Sequence, residues 1–286
     1  MINLNSHASR LLFTTTRIVG QHPDGSESIG TAFFFNFKVN EQAHVPVLIT
    51  NKHVVKNASR GIFFVHEALK ESDGQVKPST NSFGFALSDF EKGWVNHPEE
   101  DIDLCAMPFG SLRQQALAQG KEIFYVSLDE SIIPTQVQLE SLSALEEIVM
   151  VGYPIGIWDE VNNFPVLRRG ITASHAATNF KGKPIGVVDI AVFPGSSGSP
   201  LFILNEGAYE TPEGLTVGSR LLFLGILYAG PQHRADGSIA IIDIPTKQSP
   251  IATTMIPAHL GYYIKSAELH KLKEHMFSVL NIKAES

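Results

Sequence analysis

The chemistry in this sequence concentrates around the segment Phe193-Pro-Gly-Ser-Ser-Gly-Ser-Pro200, in which glycines flank a serine and a proline follows. Gly195 and Gly198 allow backbone conformations closed to other residues, so the amides of Gly195 and Ser197 can point at one spot beside the Ser197 hydroxyl. A carbonyl attacked by that hydroxyl would develop its negative charge where the amides already point. Taken alone, the segment also reads as an ordinary Gly/Ser/Pro loop between strands. A serine hydroxyl is a poor nucleophile near neutral pH and needs a base, usually an imidazole held in one tautomer by a carboxylate. Among eleven histidines, His53 stands out: it follows the apolar run Val47-Leu-Ile-Thr50 and precedes Val54-Val55, at the end of an expected buried strand. A strand-end histidine with a structural hydrogen bond would look the same. Carboxylates follow at Asp101 and Asp103, either of which could be a solvated loop acid. Asp103 is favoured because residues 104–107 run on without another charge.

Together these segments resemble the chymotrypsin-like serine peptidases, and most closely their bacterial Deg/HtrA-like branch. Thr50-Asn-Lys-His-Val-Val55 is similar to that branch's histidine segment, Asp103-Leu-Cys-Ala-Met107 to its aspartate strand, and Gly195-Ser-Ser-Gly-Ser-Pro-Leu201 to its nucleophile loop. Weaker agreement comes from Gly30-Thr-Ala-Phe-Phe34, Val151-Gly-Tyr-Pro154, Gly170-Ile-Thr-Ala-Ser174 and Gly261-Tyr-Tyr-Ile264. The order His, Asp, Ser is also that family's order.

The resemblance implies an all-β fold of two six-stranded antiparallel β-barrels, with His53 and Asp103 on the first, Ser197 on the second and the active site between them. It implies a serine endopeptidase working through an acyl-enzyme, with Gly195 and Ser197 as oxyanion donors, a peptide or protein as substrate, and no metal or cofactor. By the family's loop geometry, Ala191 lies near the base of the primary pocket, with Tyr228, Ala229, Gly230, Gly261 and Tyr262 along its walls. Nothing there is acidic, so a small or medium apolar substrate side chain is expected. Arg17-Ile-Val-Gly20 is similar to the activation site of secreted zymogens, yet the acid that would pair with a freed amino group is here Ser196. Residues 17–20 are therefore expected in an early strand. Ser199 stands where many relatives carry glycine.

These residues need β-rich surroundings, and the text supplies them. Short runs rich in Phe, Val, Ile and Thr recur at residues 11–19, 31–37, 45–50 and 61–65, and again at 148–152, 185–192 and 221–227. The expected division is an N-terminal barrel over 1–125, a C-terminal barrel over 126–265, and a C-terminal helix and tail over 266–286. The polar stretch 111–142, with a helix candidate at Leu112 to Gln119, reads as the connection. At the end Ser266 can cap a helix whose Leu269, Leu272, Met276 and Leu280 line one face. That helix leaves too little chain for a PDZ domain.

Composition narrows the alternatives. With 43% hydrophobic and 18% charged residues the chain reads as compact, and its net charge of −7, without basic clusters, disfavours a nucleic-acid surface. No apolar run is long enough to span a bilayer, and no charged leader with an apolar core opens the chain, so a cytoplasmic protein without membrane contact is expected. A single cysteine, Cys105, leaves no internal disulfide and no multi-cysteine metal site. Rival readings are a catalytically silent peptide-binding or scaffold module on the same fold, and an α/β-hydrolase, which would need an acid and histidine after the serine, such as Asp236 or His270. His66-Glu67 lacks a second histidine at helical spacing and reads as a surface pair rather than a metal site. A regulatory protein partner remains compatible with all of this.

Overall fold

The structure is a computed structural model of the chain and describes residues 3–71, 74–211, 214–230, 232–238, 251–257 and 259–283. The first half builds one sheet from β1 (Thr15–Gln21), β2 (Glu27–Lys38), β3 (His44–Thr50), β4 (Arg60–Lys70), β5 (Val76–Ser88), β6 (Val95–Asn96), β7 (Cys105–Pro108), β8 (Ile123–Phe124) and β9 (Leu128–Asp129). Its path runs β5-β4-β1-β2-β3-β7-β6, with β8 on β4 and β9 on β2. Three of these strands, β6, β8 and β9, are two-residue pieces, so the sheet has six longer strands. β9 draws this sheet past residue 125, the expected boundary between the halves.

The second half contains β10 (Glu147–Gly152), β11 (Val166–Thr172), β12 (Ile185–Asp189), β13 (Pro200–Asn205), β14 (Ala208–Thr211), β15 (Gly214–Val217), β16 (Arg220–Ala229), β17 (Gln232–Ser238), β18 (Ile251–Pro257) and β19 (Leu260–Lys265). Six of them close a barrel in the order β10-β11-β12-β19-β16-β13, while β14-β15 and β17-β18 are separate hairpins. Five α-helices, with four short 3-10 helices, complete the described chain: α1 (His7–Leu11), α2 (Lys52–Val55), α3 (Gly110–Ala118), α4 (Gln136–Glu140) and α5 (Glu268–Val279).

Strand periodicity explains how one apolar run serves two cores. Successive side chains leave a strand on opposite faces, so along β2 Ala32 and Phe34 enter the interior of the first half while Phe33, Phe35 and Phe37 face the seam between halves. β10 does the same in the second half: Ile148 and Met150 fill the barrel, and Val149 and Val151 join the seam. Helix α5 closes the seam with Leu269, Leu272, Met276 and Phe277, all buried. Each such side chain contributes roughly 1.5–3 kcal/mol on leaving water. The strand expected over 11–19 begins only at Thr15, because Leu11 ends α1, whose first turn is capped by the Ser6 side chain. Helix α5 differs at both ends from its expectation. Its N-cap is Ala267 without a side-chain bond, Ser266 being held in the preceding chain by its N–H to Leu224 O (3.0 Å), and Leu280 is exposed while Phe277 takes the inner face.

Candidate active site

β3 ends at Thr50, and the buried Asn51 turns the chain into the single turn of α2, which presents His53. Val54 and Val55 anchor that turn in the first-half core, and a Cβ on Gly30 would lie 2.5 Å from Val54, so the glycine makes room for it. From the other side, Ile102 and Leu104 are buried and hold Asp103 between them. The Asp103 carboxylate meets His53 twice: Oδ1 accepts the His53 main-chain N–H (3.1 Å), and Oδ2 lies 2.5 Å from Nδ1. Asn51 Nδ2 donates to Asp103 O at 2.7 Å and fixes the main chain of the acid. With Nδ1–H donating to a carboxylate, Nε2 is the ring nitrogen left with a lone pair. Asp101 is elsewhere, its side chain 84% exposed and 3.6 Å from Lys183 Nζ.

Ser197 is half-buried between buried neighbours, Ser196 and Gly198. The two glycines have positive φ, 89° at Gly195 and 86° at Gly198, and both are closely packed. A Cβ on Gly198 would lie 1.9 Å from Thr31 O, and one on Gly195 would lie 2.4 Å from Tyr153 O. Pro194 O accepts the N–H of Ile155 at 2.6 Å. In a trans peptide C=O and N–H point opposite ways, so this bond turns the Gly195 N–H away from Ile155. Among the described residues neither the Gly195 nor the Ser197 N–H has an acceptor. The loop is fastened to β16 by Gly198 N–H on Leu227 O (2.8 Å) and Leu227 N–H on Ser199 O (2.9 Å).

Thr31, a residue to which sequence reasoning gave no role, joins the two sides. Its N–H donates to Ser197 O (2.8 Å) and its hydroxyl to Gly195 O (3.0 Å). The same hydroxyl accepts from Tyr153 N–H and from Ser199 Oγ, each at 3.2 Å. Thr31 O in turn accepts the hydroxyl of Thr50 (2.6 Å), three residues before His53. The serine at 199 is thus part of this network, and Gly152 leaves space for it: a Cβ there would lie 2.0 Å from Ser199 Oγ. Residues 17–20 lie inside β1, as expected, with Ile18 fully buried, and Ser196 is buried with its hydroxyl unpartnered.

The expected pocket residues gather at one place. Tyr228 and Tyr262 have ring centroids 6.5 Å apart. The Tyr228 phenol is pushed up first by burial, then by the Tyr262 hydroxyl, and then by the carboxylate of Asp103. A Cβ on Gly230 would lie 3.0 Å from Val192 Cβ, and one on Gly261 2.9 Å from Val192 Cγ2, so Val192 packs against both glycines. Arg168 donates to the carbonyl of Ala191 and its guanidinium lies 5.7 Å from the Phe193 ring centroid. Neither Val192 nor Arg168 was singled out from sequence, where a lone valine or arginine carries no signal.

His66 is not a surface residue. It is 6% exposed, packed against the rings of Phe13 (4.8 Å) and Phe164 (5.5 Å), and burial lowers its pKa to about 4. Flanking aromatic residues distant in sequence bury it. No cluster of three or more metal-ligating side chains occurs among the described residues, and none of their helices is long and apolar enough to cross a membrane.

An acid on the imidazole, glycine-framed free amides and a serine loop between two β-rich halves define a protein of the chymotrypsin-like kind. The trypsin-like peptidase domain family matches residues 30–208, more than half of the chain, and the protein belongs to that family. No curated protein matches it. Among solved structures it is similar to the active form of the Rv3671c protease from M. tuberculosis, with 13% identity over 98% of this chain and 85% of that one (TM-score 0.44). It is similar also to GrC, with 12% identity over 95% and 96% (TM-score 0.45), and to the protease Anisep from Arthrobacter nicotinovorans, with 11% identity over 92% and 95% (TM-score 0.40).

Proposed function

We propose that this peptidase is a serine endopeptidase in which Ser197 is the nucleophile, His53 the general base and Asp103 its orienting partner. The observation that carries the reading is the Asp103 Oδ2 contact with His53 Nδ1 at 2.5 Å, which leaves Nε2 to take a proton. In this mechanism Nε2 removes the Ser197 proton as Oγ attacks a peptide carbonyl, and the negative charge on the carbonyl oxygen is met by the Gly195 and Ser197 N–H groups. The imidazolium then protonates the leaving amine, and the C–N bond breaks to give an acyl-enzyme. Water, deprotonated by Nε2, attacks the acyl carbon and returns Ser197.

The substrate is a peptide or protein whose extended chain pairs with the backbone of residues 228–230, an added strand of the kind sheet edges accept. Val192 packed against Gly230 and Gly261 supports a preference for small side chains at the residue before the scissile bond. Cytoplasmic residence and control by a protein partner belong to the same reading. A fluorophosphonate probe and proteome-wide cleavage mapping, run on the intact protein and on Ser197→Ala, test it. Labelling and cleavage confined to the intact protein are expected, whereas an identical pattern from both would end the reading.

A further inference from the structure

One end of the second barrel holds a cavity of about 220 Å³, built by β16, β19, α4 and the start of α5. Two of the polar side chains that line it, Lys265 and Tyr263, make no hydrogen bond or ion pair among the described residues. Lys265, the last residue of β19, is 9% exposed and has no acceptor or counter-charge among the described residues. Tyr263, two residues earlier on the same face of the strand, is 1% exposed, and its hydroxyl has no hydrogen-bond partner. Burial alone pushes the Lys265 ammonium down and the Tyr263 phenol up, to about 12, as befits groups that meet nothing polar.

Buried polar groups are almost always satisfied, and the Tyr263 hydroxyl is buried and is not. The start of α5 adds to the same field, since its N-terminus opens onto the cavity without a side-chain cap and helix N-termini favour anions. The carboxylate in the lining, Glu268, does not answer Lys265. Its oxygens lie 3.1 and 3.3 Å from Lys271 Nζ, and one is 3.5 Å from His97 Nε2. The remaining wall includes the apolar side chains of Leu139, Ala176 and Leu224. The volume equals about seven waters at ~30 Å³ each, which suits a molecule of only a few carbons.

We propose that this cavity is a binding site for a small monocarboxylate. Its oxygens are taken by the Lys265 ammonium and the Tyr263 hydroxyl, and its short hydrocarbon tail lies against Leu139, Ala176 and Leu224. Beside the Glu268 carboxylate, whose charge is met by Lys271, the arrangement supplies one positive charge, one neutral donor and an apolar wall for a short-chain acid.

The test uses the full chain and sodium butyrate, with sodium chloride at equal ionic strength and 1-butanol as controls. Butyrate is expected to raise the melting temperature saturably and to bind measurably by calorimetry, while neither control does. Lys265→Met, which removes the charge, keeps an unbranched side chain and should fold, is expected to weaken butyrate binding at least ten-fold. Methyl-labelled wild-type protein should show nuclear Overhauser contacts from butyrate to Leu139, Ala176 and Leu224, a readout independent of any variant. The proposal is overturned by absence of saturable binding, by an equal response to 1-butanol, by undiminished affinity in Lys265→Met, or by contacts that map elsewhere.

Discussion

The N–H of Ile155 and the carbonyl of Pro194 meet at 2.6 Å, and this single bond sets which way the Gly195 amide faces. Ile155 makes it from the left-handed region, at φ 54° and ψ 22°, unusual for a β-branched residue, with its side chain largely exposed. Such a residue stores about 1–2 kcal/mol of strain. Ile155→Asn keeps the N–H and tolerates that conformation, so it should raise stability by about 1 kcal/mol with kcat unchanged. Denaturant titration and steady-state kinetics on one preparation check both halves of this expectation.

Asp103→Asn leaves the shape of the His53 contact but loses the charge and the preferred tautomer. A fall in kcat of about 10⁴-fold is expected, with little change in melting temperature. Asp101→Asn, at an exposed position paired with Lys183, should leave kcat as it was. Equal losses in the two variants would contradict the assignment.

Thr31→Val keeps the volume of the side chain and removes its hydroxyl. The buried Tyr153 N–H then loses its acceptor and Gly195 O its donor. Destabilisation of about 1–3 kcal/mol is expected, accompanied by a lower kcat because the Gly195 turn loses a tether. A stable variant with full kcat would show that the hydroxyl network does not hold the loop.

Val192→Gly empties the space beside Gly230 and Gly261. On paired peptides differing only before the scissile bond, kcat/KM for Leu or Phe should rise by about ten-fold or more relative to Ala, the worth of one to two methylenes of space. A ratio that stays put would move the primary pocket away from Val192.

His66 gives the stability a definite acid limit. It is neutral in the fold down to about pH 4, whereas an unfolded histidine takes up its proton near 6.5. The unfolded state therefore binds more protons through this window, and stability falls as pH drops from 6.5 towards 4, by on the order of 3 kcal/mol. His66→Phe, which suits the ring neighbours, should flatten that part of the stability profile. A wild-type profile already flat between these values would contradict the buried neutral ring.

The residues of the candidate site were legible because motif and spacing mark them: a serine among glycines, a histidine after a β run, an aspartate before another. What positions them was not. Thr31, Ile155 and Val192 act through atoms distant in sequence, Ile155 N–H on Pro194 O and Tyr153 N–H on Thr31 among them, and no local pattern announces such a partner. β5 was missed because Val76–Ser88 mixes polar with apolar residues and buries only Phe85, and becomes a strand by pairing with β4 rather than by burial. Ser266 had the right chemistry for a helix cap, but its backbone is engaged by Leu224, so the helix starts beyond it. The run 31–37, by contrast, was readable as a strand, although only the register shows that its alternate phenylalanines serve different cores.

Helix α5 follows both halves in the chain and lies across the line where they meet, touching β6 and β7. Its Phe277 ring lies 6.4 Å from that of Phe37, so the helix covers part of the shared core. The two halves are thus clamped from outside by a segment that carries none of the candidate site's side chains.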